Sequence, residues 1–171
     1  MRKQTIPDCV NNVATLVVSG LGLTYAGTFV HEIGHAIAVK LVGWEVKSIK
    51  IYMNGSGCCV SKISGLNFRK RMLVEVSGPL LGSTYYGAYF STQNRLRSGL
   101  FDSVMCYLLF SNIINVIPCK KFTDGRRIWT YLFAHLGIKP RRYCLSYSKV
   151  FLFECLVLFL CFRGFVKNLS K

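Results

Sequence analysis

The pentapeptide His31-Glu32-Ile33-Gly34-His35 lies inside an apolar run, and no other feature constrains the chain as strongly. From 13 to 39, the acidic and basic side chains are those of His31, Glu32 and His35 alone. The chain has three His, and two of them fall in this pentapeptide. On a helix, positions i and i+4 share a face, so both imidazoles can point at one ion. Glu32 stands beside them, placed to take a proton from a metal-polarised water. Ionisable groups in an apolar run are costly and are functional candidates by default. The pattern points to a hydrolase with one Zn2+ per chain, His31 and His35 as metal ligands and Glu32 as the catalytic base.

A length of 171 residues fits a single domain over 1–171. The chain is 51% hydrophobic, too apolar for an ordinary soluble domain, and its net charge is +15. The basic residues fall between long apolar runs, where membrane-flanking charge belongs. No groove- or strand-binding motif accompanies them, which argues against nucleic acid as a partner. The eight cysteines are scattered and none forms a C-x-x-C pair, so reduced thiols are expected rather than a cysteine zinc site. Arg2 and Lys3 ahead of the first run imitate a signal peptide, but the run is too long and carries the motif itself.

Four apolar segments follow one another: 13–42, 72–91, 99–118, and a shorter one at 150–162 that extends back to 143. A full span needs about 20 residues. The fold expected is therefore an all-α polytopic membrane protein, a three-span core with a fourth apolar segment at 143–162. Between the first two spans, Val46, Ile49, Ile51 and Met53 alternate imperfectly and Asn54-Gly55 is a turn signal, so 44–63 reads as a β-hairpin. Residues 129–136 are apolar and aromatic after a basic stretch and read as an interfacial or half-buried helix.

Fourteen of the 22 Lys and Arg fall in 43–71 and 119–149, against seven in the segments expected on the other side. The positive-inside rule then puts the hairpin, and the active site with it, toward the cytoplasm. A multi-pass protein of a prokaryotic cell membrane is the expected setting.

A catalytic zinc usually takes three protein ligands. The remaining acids are Asp8, Glu45, Glu75, Asp102, Asp124 and Glu154. The charge-based orientation puts Asp124 on the same side as the His pair, within reach if the chain after Pro118 folds back. Glu75 is the rival, 40 residues after His35. Arg71 at i−4 offers Glu75 a simpler role as an ion-pair partner.

His-Glu-x-Gly-His in the first span, with Asn115-x-x-Pro118 and Asp124-Gly125 near the end of a later one, resembles the site-2 protease family of intramembrane zinc metalloproteases. Ser77-Gly78-Pro79 is similar to the family's small-Gly-Pro element, and a hairpin after the first span also fits. The resemblance covers about residues 13 to 127. It implies His31, His35 and Asp124 as the zinc ligands, Glu32 as the base and Asn115 as a substrate-positioning residue. Thr123 departs from the family's usual Leu, and one extra residue separates Pro118 from Asp124. Gly82 and Ser83 follow the Gly-Pro element where the family often has Asn.

Simpler readings stand beside these. The His and Glu can glue helices together, Asp124 suits a turn, and Asn115 an interhelical hydrogen bond. Asn112, one turn from Asn115, shares either role. Gly78-x-x-x-Gly82 suits close helix packing, and His135 has no partner motif. The function expected is endopeptidase cleavage in or near a transmembrane segment, with a membrane protein or membrane-associated peptide as substrate, lipid around the protein, and a homo-oligomer as an open option. The alternatives are a catalytically silent binding partner with the same fold and a metal-handling membrane protein.

Overall fold

In the computed structural model, residues 6–62, 65, 67–92, 99–118, 123–138 and 156 are described. They form α1 (Ile6–Leu41), β1 (Glu45–Ile51), β2 (Gly57–Lys62), α2 (Phe68–Thr92), α3 (Gly99–Ile114) and α4 (Asp124–His135).

The C-terminus of α1 is fixed by its sequence. Gly43 takes φ +80°, which favours glycine. The Gly43 N–H bonds the Lys40 carbonyl and the Trp44 N–H bonds Val39, a Schellman motif. Its usual apolar contact is present, since Trp44 and Val39 share a buried cluster with Ala38, Val42 and Val74. This stop turns the chain into the hairpin. Glu45 pairs with Lys62 and Ile51 with Gly57 in an antiparallel two-stranded sheet, with an irregularity between Val46 and Ser48. Gly55 at φ +78° and the Asn54 side chain, which accepts from the Ser56 N–H, close the turn. Helix α2 then starts on Asn67, whose Oδ1 accepts from the N–H groups of Arg69 and Lys70.

Helix α1 packs chiefly on α2, and Gly34 permits the close approach. A Cβ at Gly34 would lie 2.5 Å from the Ser77 carbonyl oxygen and 3.0 Å from Gly78 Cα. The hairpin lies along the same helix, held by Thr28 Oγ1 to the Gly55 carbonyl at 2.7 Å and Tyr25 Oη to the Met53 carbonyl at 2.6 Å. A second buried cluster of Tyr86, Met105 and Leu108 joins α2 to α3.

The described residues do not bear out the polytopic membrane architecture expected from the apolar runs. Among the described residues, no helix is long and apolar enough to cross a membrane. Helix α1 has the length, at 36 residues, and carries His31, Glu32, His35 and Lys40 in its C-terminal part. Helix α2 opens on Arg69, Lys70 and Arg71 and carries the buried Glu75. Helix α3 has only 16 residues. The fold is helical with one small sheet, and the two strands lie where the alternation suggests them. The segment 143–162 lies outside the described residues except for Leu156.

Candidate metal centre

His31, Glu32 and His35 all lie on the inward side of α1, each with 6% of its surface exposed. The helical i, i+4 offset brings the two imidazoles edge to face, with ring centres 5.0 Å apart. Their Nε2 atoms are 3.2 Å apart. Asp124 Oδ2 meets both, at 2.9 Å from His31 Nε2 and 3.4 Å from His35 Nε2. One ligand atom from each of these three residues lies within 4.8 Å of the others.

Asp124 gets there because a helix starts at it. Thr123 is the N-cap of α4 and its side chain accepts from the Arg126 N–H. Helix α4 is then docked from several sides. The Gly125 N–H donates to the Asn115 carbonyl at 2.7 Å, and Trp129 Nε1 donates to the Val116 carbonyl at 3.0 Å. Arg127 pairs with Glu75 at 3.5 Å. Arg71 turns away from Glu75; it donates to Tyr131 Oη at 2.9 Å with its guanidinium 5.1 Å from that ring's centre. His135 stacks on Phe68, ring centres 4.1 Å apart. The amphipathic pattern alone starts the helix at Trp129, because Asp-Gly-Arg-Arg looks like a charged turn. Thr123 as a cap is the signal that moves the start forward.

The electrostatics suit a cation. Burial works to raise the Asp124 carboxyl, yet hydrogen bonds and charge from His31 and His35 outweigh it and hold the group well below the usual carboxylate range. On its far side, His35 Nδ1 lies 2.7 Å from the Val74 carbonyl oxygen. A carbonyl only accepts, so that ring nitrogen carries a proton and Nε2 faces the cluster. Two ring nitrogens and a carboxylate therefore converge where only positive charge can hold them together. Shared protons do this, and a divalent metal replaces protons in such a set. The residues fit zinc, whose common ligands are imidazole nitrogen and carboxylate oxygen. Gly78 makes room for one of them: any Cβ there would run into the His35 ring.

Glu32 is covered by the hairpin. The Cys59 backbone N–H donates to its carboxylate, and a Cβ at Gly57 would lie 2.7 Å from Glu32 Oε1. Burial pushes the Cys59 thiol up to about 11, so it stays protonated and is no nucleophile.

The other predicted residues fall differently. Asn115 sits in the turn after α3, half-buried, and it is its backbone carbonyl that holds α4. Asn112 is the asparagine that reaches the cluster, with Oδ1 2.8 Å from His31 Nδ1. Glu75 is buried but stands outside the three-residue group, paired to Arg127.

No curated protein and no solved structure matches the chain. The Peptidase M50B-like family model matches residues 10–123, about two thirds of the chain, and takes in the whole pentapeptide and Asn115-x-x-Pro118. The match stops one residue before Asp124, so the third member of the cluster rests on geometry. The chain belongs to the Peptidase M50B-like family, among the site-2 proteases that its motifs resemble.

Proposed function

We propose that this protease is a zinc metalloendopeptidase, with His31, His35 and Asp124 as zinc ligands, Glu32 as the general base and a membrane-associated protein segment as substrate. The observation that carries the reading is the convergence of His31 Nε2, His35 Nε2 and Asp124 Oδ2 beside the buried Glu32. Zinc bound there supplies Lewis-acid chemistry, polarising a carbonyl and making water acidic near neutral pH. Glu32 accepts the proton of the attacking water and delivers it to the leaving amine. The hairpin over Glu32 limits bulk water around that carboxylate. Each strand of a two-stranded sheet has one edge outside the ladder; on β2 the Cys59 N–H of that edge bonds Glu32, so an extended substrate added there runs past Glu32 and takes the place of that bond. A helical substrate must unwind first, since its backbone groups are already hydrogen-bonded.

The membrane part of the reading is supported by the family, whose members are usually membrane-embedded, and by exposed apolar side chains. Val18, Leu21, Ile37 and Leu41 on α1, Leu73 and Leu80 on α2 and Phe110 on α3 all face outward. Lipid is the cover that suits them.

The test is co-expression with candidate membrane-anchored substrates, with and without chelator, beside Glu32→Gln. Chelator-sensitive cleavage that disappears in the variant is expected. Cleavage that persists in both arms would overturn the zinc mechanism.

A further inference from the structure

Behind each imidazole of the cluster stands one acceptor. For His35 it is the Val74 backbone carbonyl; for His31 it is the Asn112 side chain. A side-chain amide can be placed either way round, so its partners decide what it offers. Asn112 Nδ2 lies 2.8 Å from the Pro79 carbonyl oxygen and 2.9 Å from Ser83 Oγ. The Pro79 carbonyl only accepts, so the amide nitrogen must face it. Oδ1 is then the atom at His31, and it too only accepts. His31 Nδ1 therefore carries a proton, and Nε2 is the nitrogen turned toward Asp124.

Helix α2 is shaped to hold this amide. A Cβ at Gly82 would lie 2.7 Å from Asn112 Oδ1 and 3.0 Å from its Nδ2. Pro79 and Ser83 supply the two acceptors from the same stretch of helix. The glycine at 82 thus leaves space for a polar side chain from α3, not for a helix backbone.

We infer that Asn112 is a positioning residue for the metal centre: it fixes the ring orientation and tautomer of His31 so that Nε2 is presented to the ion. This rests on the zinc reading above. Partners behind metal-bound histidines typically change metal affinity by about 10–100-fold when removed.

The experiment measures zinc affinity of the purified full-length chain by chelator competition, with unfolding midpoints and visible spectra of the cobalt-substituted protein alongside. Asn112→Ala is expected to weaken zinc binding by about 10–100-fold and to shift the cobalt bands. Asn112→Asp keeps an acceptor on Nδ1 but loses the donor to the Pro79 carbonyl, so it is expected to recover part of the zinc affinity that Asn112→Ala loses and to restore the cobalt bands. Gly82→Ala touches neither imidazole but pushes the amide aside, so it reproduces the loss; it carries the test if Asn112→Ala fails to fold. A merely structural role would lower the midpoint without moving the cobalt bands and without rescue by Asp. Asn112→Ala or a folded Gly82→Ala binding zinc like the unaltered protein would overturn the assignment alone. An unaltered protein that holds no zinc, or a His31→Ala variant that holds it equally well, would overturn the zinc reading and this inference with it.

Discussion

Arg127 on α4 reaches Glu75 on α2 at 3.5 Å, while Arg71, one turn before Glu75 on the same helix, pairs with Tyr131 instead. The carboxylate of Glu75 is buried and the guanidinium is half exposed, with 8% and 49% of their side chains accessible. The Glu75 oxygen that faces Arg127, Oε2, is buried, and the 3.5 Å ion pair is its one polar contact among the described residues. Arg127→Ala should therefore leave a buried carboxylate without its countercharge and cost about 1–3 kcal/mol. Glu75→Gln removes the charge that needs compensation and should cost less. Chemical denaturation of the two variants gives the comparison, and a larger loss for Glu75→Gln would contradict it.

The two acids near the histidines should part ways in metal content. The unaltered protein should hold about one zinc per chain, as a three-ligand site does. Asp124→Ala should lose most of it, and Glu75→Ala should keep it. Elemental analysis of purified variants decides. The reverse pattern would make Glu75 the ligand.

Replacing Glu32 with Gln keeps the size and removes the base. Turnover should fall by about 10²–10⁴-fold while fold and zinc content stay. Cleavage at an appreciable fraction of the normal rate would exclude Glu32 as the essential base.

Two glycines of α2 give opposite expectations for the same change. Gly78→Ala drives a methyl group into the His35 ring, so zinc content and stability should both fall. At Gly87 a Cβ meets nothing within 4 Å. There alanine should be neutral or stabilising by up to about 1 kcal/mol, the difference in helix propensity. Metal analysis and thermal melts on both variants test the pair.

How far the chain could be read in advance differs by residue. The i, i+4 spacing of His31 and His35 is a local property of a helix, so the pairing of their rings was legible. So was the hairpin, whose turn is carried by Asn54 and Gly55. The partner of Glu75 was not, because i−4 geometry offers Arg71 and only the docking of α4 makes Arg127 available. Asn112 and Asn115 lie a turn apart, and which one faces His31 depends on the rotation of α3 against α2. Gly82 looked like a packing glycine because sequence shows the missing side chain but not the amide that fills its place. Apolar content alone suggests membrane spans, but among the described residues no helix is long and apolar enough to cross a membrane, and α3 has 16 residues.

Asp124 and His31 are 93 residues apart in the chain, while His31 and His35 are four apart. The histidine pair assembles whenever one helix forms. The third corner exists only after the hairpin, α2 and α3 have found their places and α4 has docked. Closing a loop of that length carries an entropy cost that a bound ion offsets. The ion would then act as a long-range cross-link, and its dissociation rate becomes a measure of how firmly α4 is held. Substitutions at Trp129, Tyr131 or Phe68, which touch none of the three corners, should show up as faster zinc release before they show up as unfolding.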